Sequence, residues 1–91
     1  MELNDLPQQN PDIAARVIDG TAYLMDPTAG ELHALSAVGT RIYELIDGQR
    51  TVEVIVAELL EEFDADRELV EKDALAFLDE LESKGLVRLT G

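Results

Sequence analysis

Between Tyr23 and Gly48 the chain compresses the signals for a strand, a turn, a second strand and a capped helix into 26 residues, and this run limits the fold more than any other feature. In Asp26-Pro27-Thr28-Ala29-Gly30 a proline fixes φ where a turn needs it fixed, and a glycine accepts positive φ. The segment Glu31-Leu32-His33-Ala34 that follows reads as a short strand at a sheet edge. Ser36 is suited to cap a helix whose apolar positions Val38, Ile42, Leu45 and Ile46 recur at i, i+4, i+7 and i+8, with Gly48 as its left-handed stop.

The rest of the chain extends this pattern on both sides. Upstream, Arg16 to Met25 contains Asp19-Gly20 between apolar runs, a pair that favours a tight hairpin turn. Downstream, Thr51 caps a second predicted helix in which Val52, Ile55, Val56, Leu59, Leu60 and Phe63 form one stripe and Glu53, Glu58, Glu61 and Glu62 lie largely off it. After Asp64-Ala65-Asp66 a third helix runs to about Lys84, with Val70, Ala74, Phe77, Leu78 and Leu81 on one face and Gly85 closing it. Leu86 to Leu89 reads as a short strand or extended packing segment. Residues 1–12, with Pro7, Pro11 and a polar run between them, read as a flexible, loosely docked arm, because proline lacks the amide proton that ladders need. The predicted fold is α+β: a three-stranded antiparallel sheet followed by a three-helix bundle, in one domain over 13–91 and with the parts of a winged helix-turn-helix.

Composition narrows function by exclusion. A chain of 91 residues with 46% apolar content builds one modest core. Twenty acidic residues against seven basic ones leave a formal charge of −13, which repels phosphate backbones and argues against nucleic acid as a partner. With no cysteine there is no disulfide, thiolate metal site or cysteine nucleophile. The N-terminus lacks the cationic start and apolar stretch of a signal peptide, and no segment approaches the roughly 20 apolar residues of a membrane span, so the expectation is a cytoplasmic protein that does not engage membranes.

Side chains able to do chemistry are few. The single histidine, His33, stands three residues before Ser36, but Ser36 is better used as a helix cap, and no third residue is identifiable to orient a catalytic pair. One histidine also makes a transition-metal site improbable. Asp64, Asp66 and Glu68 alternate like calcium ligands, yet Leu69 stands at the required glycine and Leu75 at the closing glutamate. The glycines are scattered and form no nucleotide loop. The acidic run from Glu53 to Glu68 reads as a solvated surface, with a docking face for a basic partner as the alternative. The expectation is a protein with no catalytic residue, metal or cofactor.

Two apolar anomalies remain. Gly39 sits in the first turn of a helix, where it costs stability relative to alanine, implying either a close backbone approach or a tolerated substitution. In the third helix Leu69 and Ala76 lie round from the core stripe on a flank with Asp73 and Glu80, and Leu75 lies off its other side. Either the helix is covered on more than one side, or one flank lines a groove whose opposite wall is the strand Glu31–Ala34.

The spacing of Pro11, Ile13, Leu24-Met25-Asp26, Gly30, Leu35-Ser36, Gly39, Ile42, Tyr43, Asp47-Gly48 and Thr51-Val52, closed by Phe77-Leu78, Leu81 and Gly85-Leu86-Val87, resembles the PqqD-like family of recognition elements for ribosomally made, modified peptides. Ser36 stands where asparagine is usual and Tyr43 where tryptophan is common, and each keeps the chemistry of its place. The resemblance implies a non-catalytic module that takes the leader of a precursor peptide as an added strand beside Glu31–Ala34 and presents it to a maturation enzyme, such as a radical SAM enzyme, a cyclase or a protease. On that reading Glu31, Leu32, His33 and Ala34 supply register. Leu69, Val70, Asp73, Ala76, Phe77 and Glu80 form the pocket wall, with the two acids favouring Lys or Arg near the guest's apolar anchors. Two other functions compete: a structural subunit completing another protein's sheet, and a winged-helix DNA-binding regulator, which the acidic helices disfavour. The open strand edge leaves homodimerisation or strand swapping undecided.

Overall fold

Asp19 at φ 52° and Gly20 at φ 78° make the predicted two-residue turn, both in the left-handed conformation that matches the twist of a hairpin. In the computed structural model, which describes residues 1–89, this turn joins β2 (Ala14–Ile18) to β3 (Thr21–Asp26). Residues 90 and 91, included in the expected domain 13–91, lie outside the described residues. The turn after β3 is held by Asp26, whose Oδ1 accepts hydrogen bonds from the N–H groups of Thr28 and Ala29 at 3.0 and 3.2 Å. It leads into β4 (Glu31–Ala34), so the sheet runs β2-β3-β4, antiparallel throughout, with β4 on one edge.

Three helices follow, each opened by the side chain suited to cap it. Ser36 Oγ accepts from Gly39 N–H at the start of α1 (Ala37–Leu45), and Thr51 Oγ1 from Val54 N–H at the start of α2 (Val52–Glu62). Asp66 Oδ1 accepts from Glu68 N–H at the start of α3 (Arg67–Ser83). At the end of α3, Gly85 N–H bonds Glu82 O and Leu86 N–H bonds Leu81 O, with Gly85 at φ 74°, so the chain reverses sharply out of the helix. Leu86 and Val87 are thereby carried back into the core.

That core is built from the inner face of β3 through Leu24, the stripes of α1 and α2, and Ala74, Leu78 and Leu81 of α3. One polar side chain enters it with purpose. Thr40 of α1 is 3% exposed, and its Oγ1 accepts the N–H of Ala22 at 2.9 Å, which fixes α1 against the sheet.

Residues 1–12 depart from the expected loose arm. β1 (Pro7–Gln9) pairs antiparallel with β5 (Val87–Leu89) in a second, two-stranded sheet, and Pro7 is fully buried. Proline is compatible with a ladder at the first position of a short edge strand, where its missing N–H leaves nothing unpaired. Further back, the carbonyls of Leu3 and Asp5 accept the N–H groups of Glu53 and Val52 in the first turn of α2, and Met1 and Leu3 pack on the core. The Met1 amino group pairs with Asp79, one turn beyond Leu75. One of the two flanks of α3 is thus covered and Leu75 is accounted for, while Leu69 stays 55% exposed.

Candidate functional site

β4 has one neighbour in the sheet, so half of its backbone polar groups point away from it. Leu35 N–H bonds Ala22 O at 2.9 Å, and the register pairs His33 with Leu24 and Glu31 with Asp26. In an antiparallel ladder the bonded residues alternate, so Glu31 and His33 are turned toward β3 while Leu32 and Ala34 direct N–H and C=O to the open side. The backbone groups open to an added strand are therefore those of Leu32 and Ala34, while those of Glu31 and His33, expected to supply register as well, are engaged with β3. Their side chains instead form a small polar group, with His33 Nε2 3.3 Å from Glu31 Oε2.

Beyond the open edge of β4 stands α3. A groove of about 340 Å³ lies between them, bounded by Leu32, His33, Ala34, Leu35 and Ser36 on one side and by Phe77, Glu80, Leu81 and Lys84 on the other, with Leu86 at its floor. At Ser36 and Phe77 it joins a second and more apolar cavity of about 460 Å³. This well is lined by Val38, Gly39 and Ile42 of α1, Leu59 of α2, Phe63 and Ala65 of the connection, and Leu69, Val70, Asp73, Ala74 and Phe77 of α3. The two parts share a wall because positions 70, 73, 77, 81 and 84 follow one helical stripe.

Gly39 explains itself here. A Cβ at this position would lie 3.0 Å from Cζ of Phe77 and 3.2 Å from Ser36 Oγ, so the glycine lets the aromatic ring rest directly on the backbone of α1. The close-approach explanation holds, and it fixes the ring that divides groove from well. Arg41 braces the same corner: its Nε donates to Glu62 Oε1 at 2.7 Å and its Nη2 to Glu62 Oε2 at 2.8 Å, tying α1 to the last turn of α2 beside Phe63. Hydrogen bonding to Arg41 holds the Glu62 carboxyl below its usual range and raises the guanidinium above its own.

Of the ten residues expected at a binding site, Leu32, His33, Ala34, Phe77 and Glu80 meet in the groove, and Leu69, Val70, Asp73 and Phe77 meet in the well. Glu31 contributes at the margin through His33. Ala76 lines neither part, since it sits a further 100° round α3 from Phe77 and stays exposed. The two acids also differ. Glu80 is engaged by Lys84 Nζ at 3.0 Å, whereas Asp73 has no ion-pair partner among the described residues.

Sequence reasoning did not assign Val38, Ile42, Leu59, Phe63 or Ala65 to the site. Val38, Ile42, Leu59 and Phe63 lie on the amphipathic stripes and Ala65 in the connection; Ile42 and Leu59 are core, at 3% and 2% exposed, and only the gap left between α1 and the start of α3 makes them a cavity wall as well. No signal in the sequence marks them: the exposure of Val38 and Phe63, 46% and 38%, follows from how the helices are spaced. Among the described residues no group of three or more His, Cys, Asp or Glu could hold a metal ion, and no helix is long and apolar enough to cross a membrane.

Solved structures share this fold. TbiB1 in complex with the TbiA(beta) leader peptide superposes with a TM-score of 0.82 at 32% identity, covering 92% of this chain and 95% of that one. The solution structure of the PqqD truncation of Methylobacterium extorquens PqqCD, described as a stand-alone RiPP recognition element, gives 0.79 at 25% identity over 96% of this chain and 93% of that one. In sequence the chain is 46% identical over 46 residues to the PqqA binding protein of Gluconobacter oxydans, which is 50% of this chain, and it spans 48% of that relative. Because the family model for coenzyme PQQ synthesis protein D (PqqD) matches residues 21–87, from the first residue of β3 to the first of β5, the chain belongs to the PqqD family.

Proposed function

We propose that this protein is a non-catalytic carrier that binds the leader segment of a ribosomally made precursor peptide as a fourth strand on β4 and presents the peptide to its maturation enzyme. The observation that carries this reading is an unpaired strand edge lying beside a groove that opens into an apolar well. A strand edge gives a peptide main-chain bonds in register, and pockets along it select side chains. The relatives agree, since one was solved with a leader peptide bound and another is named for binding PqqA.

Magnitudes suit a carrier. Three apolar anchors at about 2 kcal/mol each and the four outward backbone groups of Leu32 and Ala34 at about 1 kcal/mol each total roughly 10 kcal/mol. Ordering a flexible peptide subtracts about 2 to 5 kcal/mol, leaving an affinity of order micromolar or weaker. A carrier that hands its cargo on works in this range, and docking on the enzyme raises the local peptide concentration further. Since ribosomes deliver the precursor in the cytoplasm, the reading includes work there.

The competing DNA-binding function has little support in charge. α2 carries no basic residue, and Arg67 of α3 is committed to Glu71 at 2.9 Å and Glu53 at 3.7 Å. The test is fluorescence anisotropy of labelled leader segments from precursor peptides encoded beside this gene. Saturable binding that unlabelled leader displaces is expected. Absence of binding to every such leader would leave a structural subunit as the better account.

A further inference from the structure

The sheet has a second face. On the side away from the helices, Ala14, Met25 and Leu32 stand in one row across the strands and Arg16 and Tyr23 in the next, with Ile18 beyond them. They surround a shallow depression of about 440 Å³, and Met25, Ile18 and Leu32 are 39%, 51% and 59% exposed. Although the chain carries a net charge of −13, no carboxylate among the described residues lines this depression. Its one charge is Arg16. Among the described residues Arg16, like Lys72 and Arg88, has no ion-pair partner, whereas Arg41, Arg50 and Arg67 each have two and Lys84 has one.

We propose that this outer face docks the enzyme that modifies the bound peptide, through an apolar patch on that enzyme bearing a carboxylate opposite Arg16. The inference rests on the carrier reading and adds a second surface to it. Charge selects a foreign partner over a second copy: stacking two of these faces brings two unpaired guanidinium groups into one patch with no carboxylate from either to neutralise them. Area points the same way. Three strands about 4.8 Å apart and about five residues long cover roughly 240 Å², against the roughly 800 Å² per partner of a stable interface. So small a face makes a lasting contact only with a second attachment, and a leader gripped by both proteins supplies one. Leu32 joins the two surfaces, its side chain on the outer face and its backbone on the open edge, so an enzyme seated here lies beside the bound peptide.

The test uses the full chain, the peptide-modifying enzyme encoded beside its gene, and a fluorescein-labelled leader from the same locus. The double variant Arg16→Glu/Met25→Glu changes two exposed side chains outside the groove, and a ¹⁵N–¹H spectrum checks that it is folded. Leader affinity is expected to stay within about twofold of the parent, while association with the enzyme falls about tenfold or more and Arg16→Lys retains most of it. A folded double variant that binds the enzyme like the parent would overturn the proposal. So would sedimentation equilibrium showing that the parent pairs with itself and the double variant does not. Failure of the parent to bind leader at all would count against the carrier reading instead.

Discussion

At the β4 end of the groove Leu32 and Ala34 offer backbone N–H and C=O groups, which any residue except proline can meet. At the helical end Val38, Ile42, Phe63, Val70 and Phe77 enclose a well that only an apolar side chain of suitable size can fill. On the carrier reading the first half would set register and be nearly blind to sequence, whereas the second would read sequence with no means of setting register. Separating the two in this way would let a domain of 91 residues hold an extended peptide in one alignment without binding it too tightly to release. Damage to the well should therefore alter which peptide is bound, and damage to β4 should weaken all peptides alike.

The largest effect is expected at Phe77, which belongs to both halves. Phe77→Ala removes an apolar wall worth about 2 kcal/mol to the guest, so leader affinity should fall about 30-fold by anisotropy. Because the side chain is half-buried, stability should fall by about 2 kcal/mol, less than for a fully buried phenylalanine, as urea unfolding would measure. An equal loss for leaders with and without a bulky apolar anchor would break the division between the halves. Next is Ala34→Pro, which deletes an outward N–H without touching the ladder to β3. About a tenfold loss is expected, the same for every leader tested.

A smaller effect sharpens the comparison from inside the well. Gly39→Ala gains up to about 1 kcal/mol of helix propensity, and pushing the Phe77 ring off its 3.0 Å contact offsets that gain. Stability should change little, while leaders with a large anchor lose affinity and those with a small one do not.

Much of this was legible in the residues and some was not. Turn and cap signals act over a few residues, so Asp19-Gly20, Ser36, Thr51 and Gly85 gave the order of elements and nearly their ends. The pairing of β1 with β5 joins residues some eighty positions apart, and no local pattern announces it; Pro7 even argued against a strand. The β4 edge and Asp73, Val70 and Phe77 could be named from period and resemblance. The α1 and α2 walls of the well could not, because whether an apolar stripe is buried or lines a cavity depends on how far two helices diverge.

The smallest predicted effect concerns the brace behind the well. Because Glu62 ionises below the 4.5 of an ordinary glutamate, its contribution to stability is complete above that pH and fades as pH falls through its lowered folded-state value. Glu62→Gln should lower the Tm slightly near pH 7, and the gap to the parent should close as pH falls well below 4.5. A gap that persists in acid would mean Glu62 acts through packing alone.

The central claim, a leader peptide strand-paired to β4 with its side chains in the well, is met most directly by titrating the ¹⁵N-labelled protein with synthetic leader segments and following its amide signals. The account predicts saturable shifts at Leu32, Ala34, Val70, Asp73 and Phe77, with Ala15 and Val17 on the far edge unmoved. Shifts on the β2 edge with β4 silent, or no shifts with any leader, would contradict it.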